Sequence, residues 1–171
     1  MRNNLSQLIS LSKIEEKLYR PADAYELSRV TRMEHVNTTI VEKPQEGIAI
    51  VADRIAKLIN RREANGQKTV LSLASGRSMR DLFVELVRLH KEEGLSFKNV
   101  VVFGSYEFYP LADSSLGSMA QIQSQLLDHI DILPENVHTF PGDLPKETVF
   151  TFCEEYEKAI VEAGGIDVQV L

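Results

Sequence analysis

Short apolar runs alternate with amphipathic helical segments from residue 38 onward, and this alternation restricts the fold more than any other feature. The predicted strands are Thr38–Glu42, Thr69–Leu73, Asn99–Phe103, Val137–Phe140 and Asp167–Leu171. Four helices are predicted between the strands. The first begins at Pro44, the second carries the apolar stripe Met79–Val87, and the last two cover 117–130 and Lys146–Ala163. Strands that alternate with helices predict βαβ units, and the run NVVVF is typical of a strand buried on both faces. We therefore expect an α/β fold with a mainly parallel sheet.

Residues 1–37 differ from the rest and are interpreted as an N-terminal extension. They are rich in charge, and Leu8, Leu11, Ile14 and Leu18 follow the spacing of a short helix. The chain stops within an apolar predicted strand, VQVL. We therefore expect a fragment of a longer protein with a further domain. A bare strand at a sheet edge also invites pairing with another copy, so a homo-oligomer is left open.

Charge and cysteine content exclude several classes of function. The chain has 171 residues, enough for one domain, and its net charge of −6 argues against a general binder of nucleic acid or anionic membranes. Cys153 is the only cysteine, which rules out an intramolecular disulfide and a cysteine-based zinc site. The histidines show no metal-ligand spacing, so no metal is predicted. The lack of a disulfide fits a reducing cytoplasm, where we expect the protein, and no apolar run is long enough for a membrane span.

The turn after the second predicted strand has the composition of a phosphate site. It reads Ser75-Gly76-Arg77-Ser78 and precedes a helix, whose first backbone N–H groups are unpaired and carry partial positive charge. The serine hydroxyls can donate hydrogen bonds, glycine allows close approach, and Arg77 adds charge. The alternative is that a serine only caps the helix while glycine permits the turn.

The loop after the third predicted strand carries a second candidate cluster. Tyr106, Glu107, Phe108 and Tyr109 leave the carboxyl end of what should be a central strand, where ligands sit in open α/β sheets. Glu107 can act as a base or bind sugar hydroxyls, and aromatic rings stack on sugar faces. The alternative is a solvated glutamate beside aromatic rings that cover the sheet edge.

Taken together, these segments resemble the glucosamine-6-phosphate deaminase (isomerase) family from about Thr38 to Leu171. The segments that carry the resemblance are VLSLASGRS, LVRLHKEEGLSFKNVVVF, YEFYPL, LLDHIDILPENVH and YEKAIVEAGGIDVQVL. The extension and the YEFYPL segment look more like the long two-domain members of Bacteroides-type bacteria. In those proteins a domain resembling de-N-acetylases follows the deaminase-like domain. On this resemblance, residues 38–171 are the N-terminal part of an isomerase-like domain.

The resemblance implies a Rossmann-like, three-layer α/β/α fold, here truncated, and a small sugar phosphate as ligand. The family converts glucosamine 6-phosphate and water to fructose 6-phosphate and ammonia without cofactor or metal. Ser75, Gly76 and Ser78 match its T-G-[GS]-[ST]-P-like phosphate loop, whereas Arg77 departs from it. YEFYPL matches the family's D-E-Y-V-G-L segment. The proton-abstracting Asp of the family aligns with Tyr106, and its Glu is retained as Glu107. The resemblance therefore implies that Tyr106 and Glu107 are the candidate catalytic residues.

Tyr106 makes ordinary turnover doubtful on this resemblance. A neutral phenol is a poor base near pH 7, and the family segment with the ring-opening histidine would follow Leu171. We therefore expect a chain that is inactive or severely impaired. Three functions remain: an amino-sugar phosphate deaminase or part of one, a sugar-phosphate-binding or regulatory module without catalysis, and a hydrolase resembling 6-phosphogluconolactonase.

Overall fold

The computed structural model describes Asp23, Tyr25 and residues 39–171. Internal contacts divide the chain into a unit ending at Ile40 and a unit from Val41 to Leu171, and the fold below is that of the second unit. The helix predicted around Leu8–Leu18, and nearly all of the predicted extension 1–37, lie outside the described residues.

Four helices and four strands alternate along this unit. The helices are α1 (Pro44–Ala64), α2 (Arg77–Glu93), α3 (Ser118–Gln125) and α4 (Val149–Glu162). The strands are β1 (Thr69–Leu73), β2 (Val100–Gly104), β3 (Val137–His138) and β4 (Val168–Val170). None of the helices in the described part of the chain has the length and apolarity needed to cross a bilayer.

The strands form one parallel sheet in the order β3-β2-β1-β4. Strand β1 pairs along its whole length with β2, from Thr69 opposite Val100 to Leu73 opposite Gly104. On its other side, β1 pairs with β4, with Leu71 opposite Val168. All ten residues of β1 and β2 are buried, as a central parallel pair with helices on both faces requires.

Helices cover both faces of the sheet and create two separate cores. On one face, Leu71, Leu73 and Val102 pack with the apolar stripes of α1, α2 and α3. On the other face, Val70 and Phe103 pack against α4. Successive strand residues point to opposite faces, so each strand supplies side chains to both cores. The predicted three-layer α/β/α fold with a parallel sheet is therefore confirmed.

The sequence misplaced the ends of several elements. The strand predicted at Thr38–Glu42 is wrong where it is described, because residues 39–42 form no strand and Ile40 is 93% exposed. Strand β3 ends at His138 rather than Phe140, because only Val137 and His138 pair with β2. The helix predicted over 117–130 breaks at Leu126, where φ is −130°, and a 3-10 turn follows.

Tyr156 of α4 ties the helix to the carboxyl ends of two strands. Its ring is buried, stacks on Phe140 at 3.9 Å between ring centroids, and meets Phe103 edge-on. Its hydroxyl lies 3.0 Å from the carbonyl oxygen of Gly104 and 3.2 Å from that of His138. Burial raises the pKa of the Tyr156 phenol, so the hydroxyl keeps its proton and donates it.

Replacing Tyr156 by Phe should lower the free energy of unfolding by about 1 kcal/mol, because the ring stays and only the hydroxyl contact is lost. Tyr156→Ala should cost about 4 kcal/mol, since it also empties the aromatic core. Urea unfolding followed by circular dichroism measures both. An equal loss of unfolding free energy in the two variants would show that the aromatic ring contributes nothing to stability.

Candidate functional site

The order of the strands creates a crevice at the carboxyl edge of the sheet. From β1, the chain moves outward through β2 to β3, and then returns to place β4 on the opposite side of β1. Ligands in open α/β sheets bind at such a reversal of strand order, outside the carboxyl ends of the strands. The turn from β1 into α2 lies at this position, and the loop after β2 lies beside it.

The turn from β1 to α2 depends on Gly76. Its φ of +134° is a conformation that residues with a side chain rarely adopt, and Gly76 is the residue that caps α2. No side chain among the described residues caps this helix, and neither Ser75 nor Ser78 does, so the interpretation of the turn as a serine cap is wrong. The N-terminus of α2 thus keeps unpaired N–H groups and the positive end of the helix dipole.

The charged and polar side chains of this turn are accessible. Arg77 and Ser78 are exposed, while Ser75 and Gly76 are partly buried. Arg77 forms no ion pair with the rest of the described chain. Ser78 lines a cavity of about 270 Å³ that reaches Val170 and Leu171 at the end of β4. The exposed Arg77 and Ser78 therefore leave the turn open to an anion, whereas the cavity itself is lined mainly by apolar residues.

Tyr106 joins the second candidate cluster to this turn. Its hydroxyl lies 3.0 Å from Ser75 Oγ and donates to the carbonyl oxygen of Ser75 at 3.2 Å. The structure therefore brings together Ser75 and Tyr106, which are 31 residues apart in the sequence. The side chain is still 40% exposed, so the phenol faces both the turn and solvent.

Glu107 lies in the same loop, but its carboxylate binds the backbone N–H groups at the start of α3. It accepts hydrogen bonds from the backbone N–H groups of Ser118 at 2.7 Å and Met119 at 3.1 Å, and a third from Phe108. A carboxylate at a helix N-terminus is stabilised by the helix dipole. A Cβ at position 117 would meet Glu107 Oε2 at 2.7 Å, so glycine there permits this approach.

A second cavity, which we call the aromatic cavity, adjoins Tyr106. Its volume is about 270 Å³, and its lining residues come from three segments. They are residues 106–109 of the loop after β2, then Phe140, Pro141 and Leu144 after β3, and finally Val149, Phe152 and Cys153 of α4. Only the first segment could be predicted as part of a site from the sequence, because the other two lie more than thirty residues further along the chain.

No metal site is found in the described part of the chain, where no three His, Cys, Asp or Glu side chains converge. The turn instead offers serine hydroxyls, backbone N–H groups and an arginine within four consecutive residues. These groups bind phosphate or carboxylate rather than cations. The proposed catalytic roles of Tyr106 and Glu107 remain predictions.

Replacing Glu107 by Ala should lower the free energy of unfolding by about 2 kcal/mol, because two N–H groups at the start of α3 lose a charged acceptor. Glu107→Gln should cost less, since one amide oxygen still accepts. Chemical denaturation measures both, with Glu154→Ala on the exposed side of α4 as the matched control. Unchanged stability in Glu107→Ala would contradict a structural role for this carboxylate.

Comparisons with known proteins agree with this fold. Residues 42–171 match the model of a family described as glucosamine-6-phosphate isomerases/6-phosphogluconolactonase. A solved monomeric glucosamine-6-phosphate deaminase has the same fold, with a TM-score of 0.71 and 24% identity, over 78% of this chain and 54% of that one. A 6-phosphogluconolactonase from Thermotoga maritima also shares the fold, with a TM-score of 0.57 and 24% identity, over 71% of this chain and 53% of that one.

Two relatives are more similar in sequence. A glucosamine-6-phosphate deaminase-like protein of Bacteroides thetaiotaomicron is 42% identical over 100% of this chain, which covers 26% of that protein. A glucosamine-6-phosphate deaminase of Porphyromonas gingivalis is 38% identical over 68% of this chain and 44% of its own length. The chain therefore spans less than half of either relative. With the family match across 42–171, the chain belongs to the glucosamine-6-phosphate isomerase/6-phosphogluconolactonase family.

Proposed function

We propose that this chain is a sugar-phosphate-binding domain of the glucosamine-6-phosphate deaminase/isomerase class and binds glucosamine 6-phosphate at Ser75–Ser78. The observation that carries the proposal is the N-terminus of α2, which follows Gly76, has no side-chain cap from the described residues and opens into the crevice beside β1. Membership in the family supports this choice of ligand. The predicted cytoplasmic location suits a phosphorylated sugar and forms part of the proposal.

The phosphate is held by three kinds of donor in this proposal. The backbone N–H groups at the start of α2 point along the helix axis toward its oxygens, and the hydroxyls of Ser75 and Ser78 add hydrogen bonds. Arg77, exposed beside them, neutralises part of the charge. The hydroxyl of Tyr106, now 3.0 Å from Ser75 Oγ, stays close enough to donate to the ligand.

The reaction of this class converts glucosamine 6-phosphate and water to fructose 6-phosphate and ammonia. It needs ring opening, proton transfer from C2 to C1, and loss of the amine. We propose that this chain binds the ligand without efficient turnover. Tyr106 is a weak proton acceptor in its neutral form, and the Glu107 carboxylate is occupied by three backbone N–H groups.

Binding of glucosamine 6-phosphate, measured by calorimetry, should weaken about tenfold in Ser78→Ala, since one hydrogen bond to a charged group is lost. Adding Gly76→Val should abolish binding, because a branched side chain opposes a positive φ. Ser124→Ala, an exposed serine of α3, is the matched control and should bind as wild type. Absence of binding by the wild type, or equal binding by the double variant, would refute the proposal.

Turnover is tested by ammonia release. In the longer protein of which this chain is proposed to be a part, the wild type should release ammonia about a hundredfold more slowly than Tyr106→Asp, in which a carboxylate replaces the phenol, because a positioned general base contributes about that factor or more. Tyr109→Asp, which adds the same charge to the same loop, should remain as slow as wild type. Rapid ammonia release by the wild type would show that Glu107 or another group is the base.

A further inference from the structure

The aromatic cavity begins where the proposed phosphate site ends. Tyr106 belongs to both, because its hydroxyl contacts Ser75 and its side chain lines the cavity. The cavity then extends over the carboxyl ends of β2 and β3 toward the first turn of α4. A ligand held by phosphate at Ser75–Ser78 therefore has the cavity on the side of Tyr106 away from the phosphate.

The chemistry of the aromatic cavity favours an apolar group. Phe108 and Tyr109 are 54% and 46% exposed, so a ligand that covers them removes aromatic surface from water. The strongest polar groups at its wall already have partners. Tyr109 donates its hydroxyl to the carbonyl oxygen of Leu144, and the Glu107 carboxylate accepts from the start of α3.

The size of the cavity indicates a substituent rather than a whole ligand. Sites that enclose small molecules typically measure about 300–1,000 Å³, and the aromatic cavity measures about 270 Å³. It suits a short alkyl or acyl chain or a single ring. The polar sugar and its phosphate belong outside it, over Tyr106 and the turn at Ser75–Ser78.

We propose that the aromatic cavity is a subsite for an apolar substituent on a sugar phosphate, at the part of the sugar remote from the phosphate. The proposal rests on the proposed function, which places the phosphate at Ser75–Ser78. The subsite selects among sugar phosphates by their substituent, a selection that the turn at Ser75–Ser78 cannot make. A sugar phosphate with an apolar substituent is bound more tightly than the same compound without it.

The test uses the 171-residue chain and glucosamine 6-phosphate with N-acetyl, N-butanoyl or N-hexanoyl groups as probes. Calorimetry should show affinity rising about fourfold for each added methylene that the cavity takes in. Val149→Trp, which fills the cavity from α4, should remove this rise while unsubstituted glucosamine 6-phosphate binds as before. Phe150→Trp introduces the same residue at the next position, which is 82% exposed and outside the cavity, and should keep the rise.

Cys153 supplies an independent readout, because it lines the cavity, is exposed, and is the only thiol in the chain. N-hexanoyl glucosamine 6-phosphate should slow its reaction with a thiol reagent, whereas inorganic phosphate should not. Equal affinities across the series, or equal rates of thiol reaction, with glucosamine 6-phosphate still bound, would overturn the subsite alone. Failure of every compound to bind, glucosamine 6-phosphate included, would overturn the proposed function and the subsite with it.

Discussion

The paired strands β1 and β2 are the constraint on which the structure depends. All of their residues are buried, so each side chain must fit a core on one face or the other. Because the strands are parallel, their carboxyl ends meet at one edge and release two loops side by side. This arrangement brings Tyr106 within hydrogen-bonding distance of Ser75. A shift in register by one residue would turn the side chains of the shifted strand to the opposite face of the sheet and disrupt both cores.

Helices α2 and α3 both begin near this edge, and they differ in which group accepts hydrogen bonds from their first backbone N–H groups. Helix α3 receives the carboxylate of Glu107, an anion supplied by the chain itself. Helix α2 begins at Arg77, directly after Gly76, and no side chain in the described part of the chain caps it. Both helix ends attract negative charge for the same physical reason. The N-terminus of α3 is occupied by a group of the chain itself, whereas that of α2 faces the crevice, and this difference is the reason for proposing a phosphate at α2.

Much of the fold could be predicted from the sequence, because buried elements leave a strong pattern. The apolar run at Thr69–Leu73 and the stripe Met79–Val87 became β1 and part of α2. The prediction failed at Thr38–Glu42, where a β-branched run looked like a strand but residues 39–42 have no partner in the sheet. Strand propensity describes how a residue fits a paired surface, and it cannot supply the neighbouring strand.

The sequence by itself determined the alternation of elements, the position of the glycine turn at Ser75–Ser78, and the two loops that carry polar and aromatic groups. These features are local, since period and turn chemistry are set by residues close together in the chain. Only the tertiary structure decided that the Glu107 carboxylate binds the start of α3 and that Phe152 closes a cavity beside Tyr106. Such contacts join residues far apart in sequence, and they exist only once the sheet fixes which loops are neighbours.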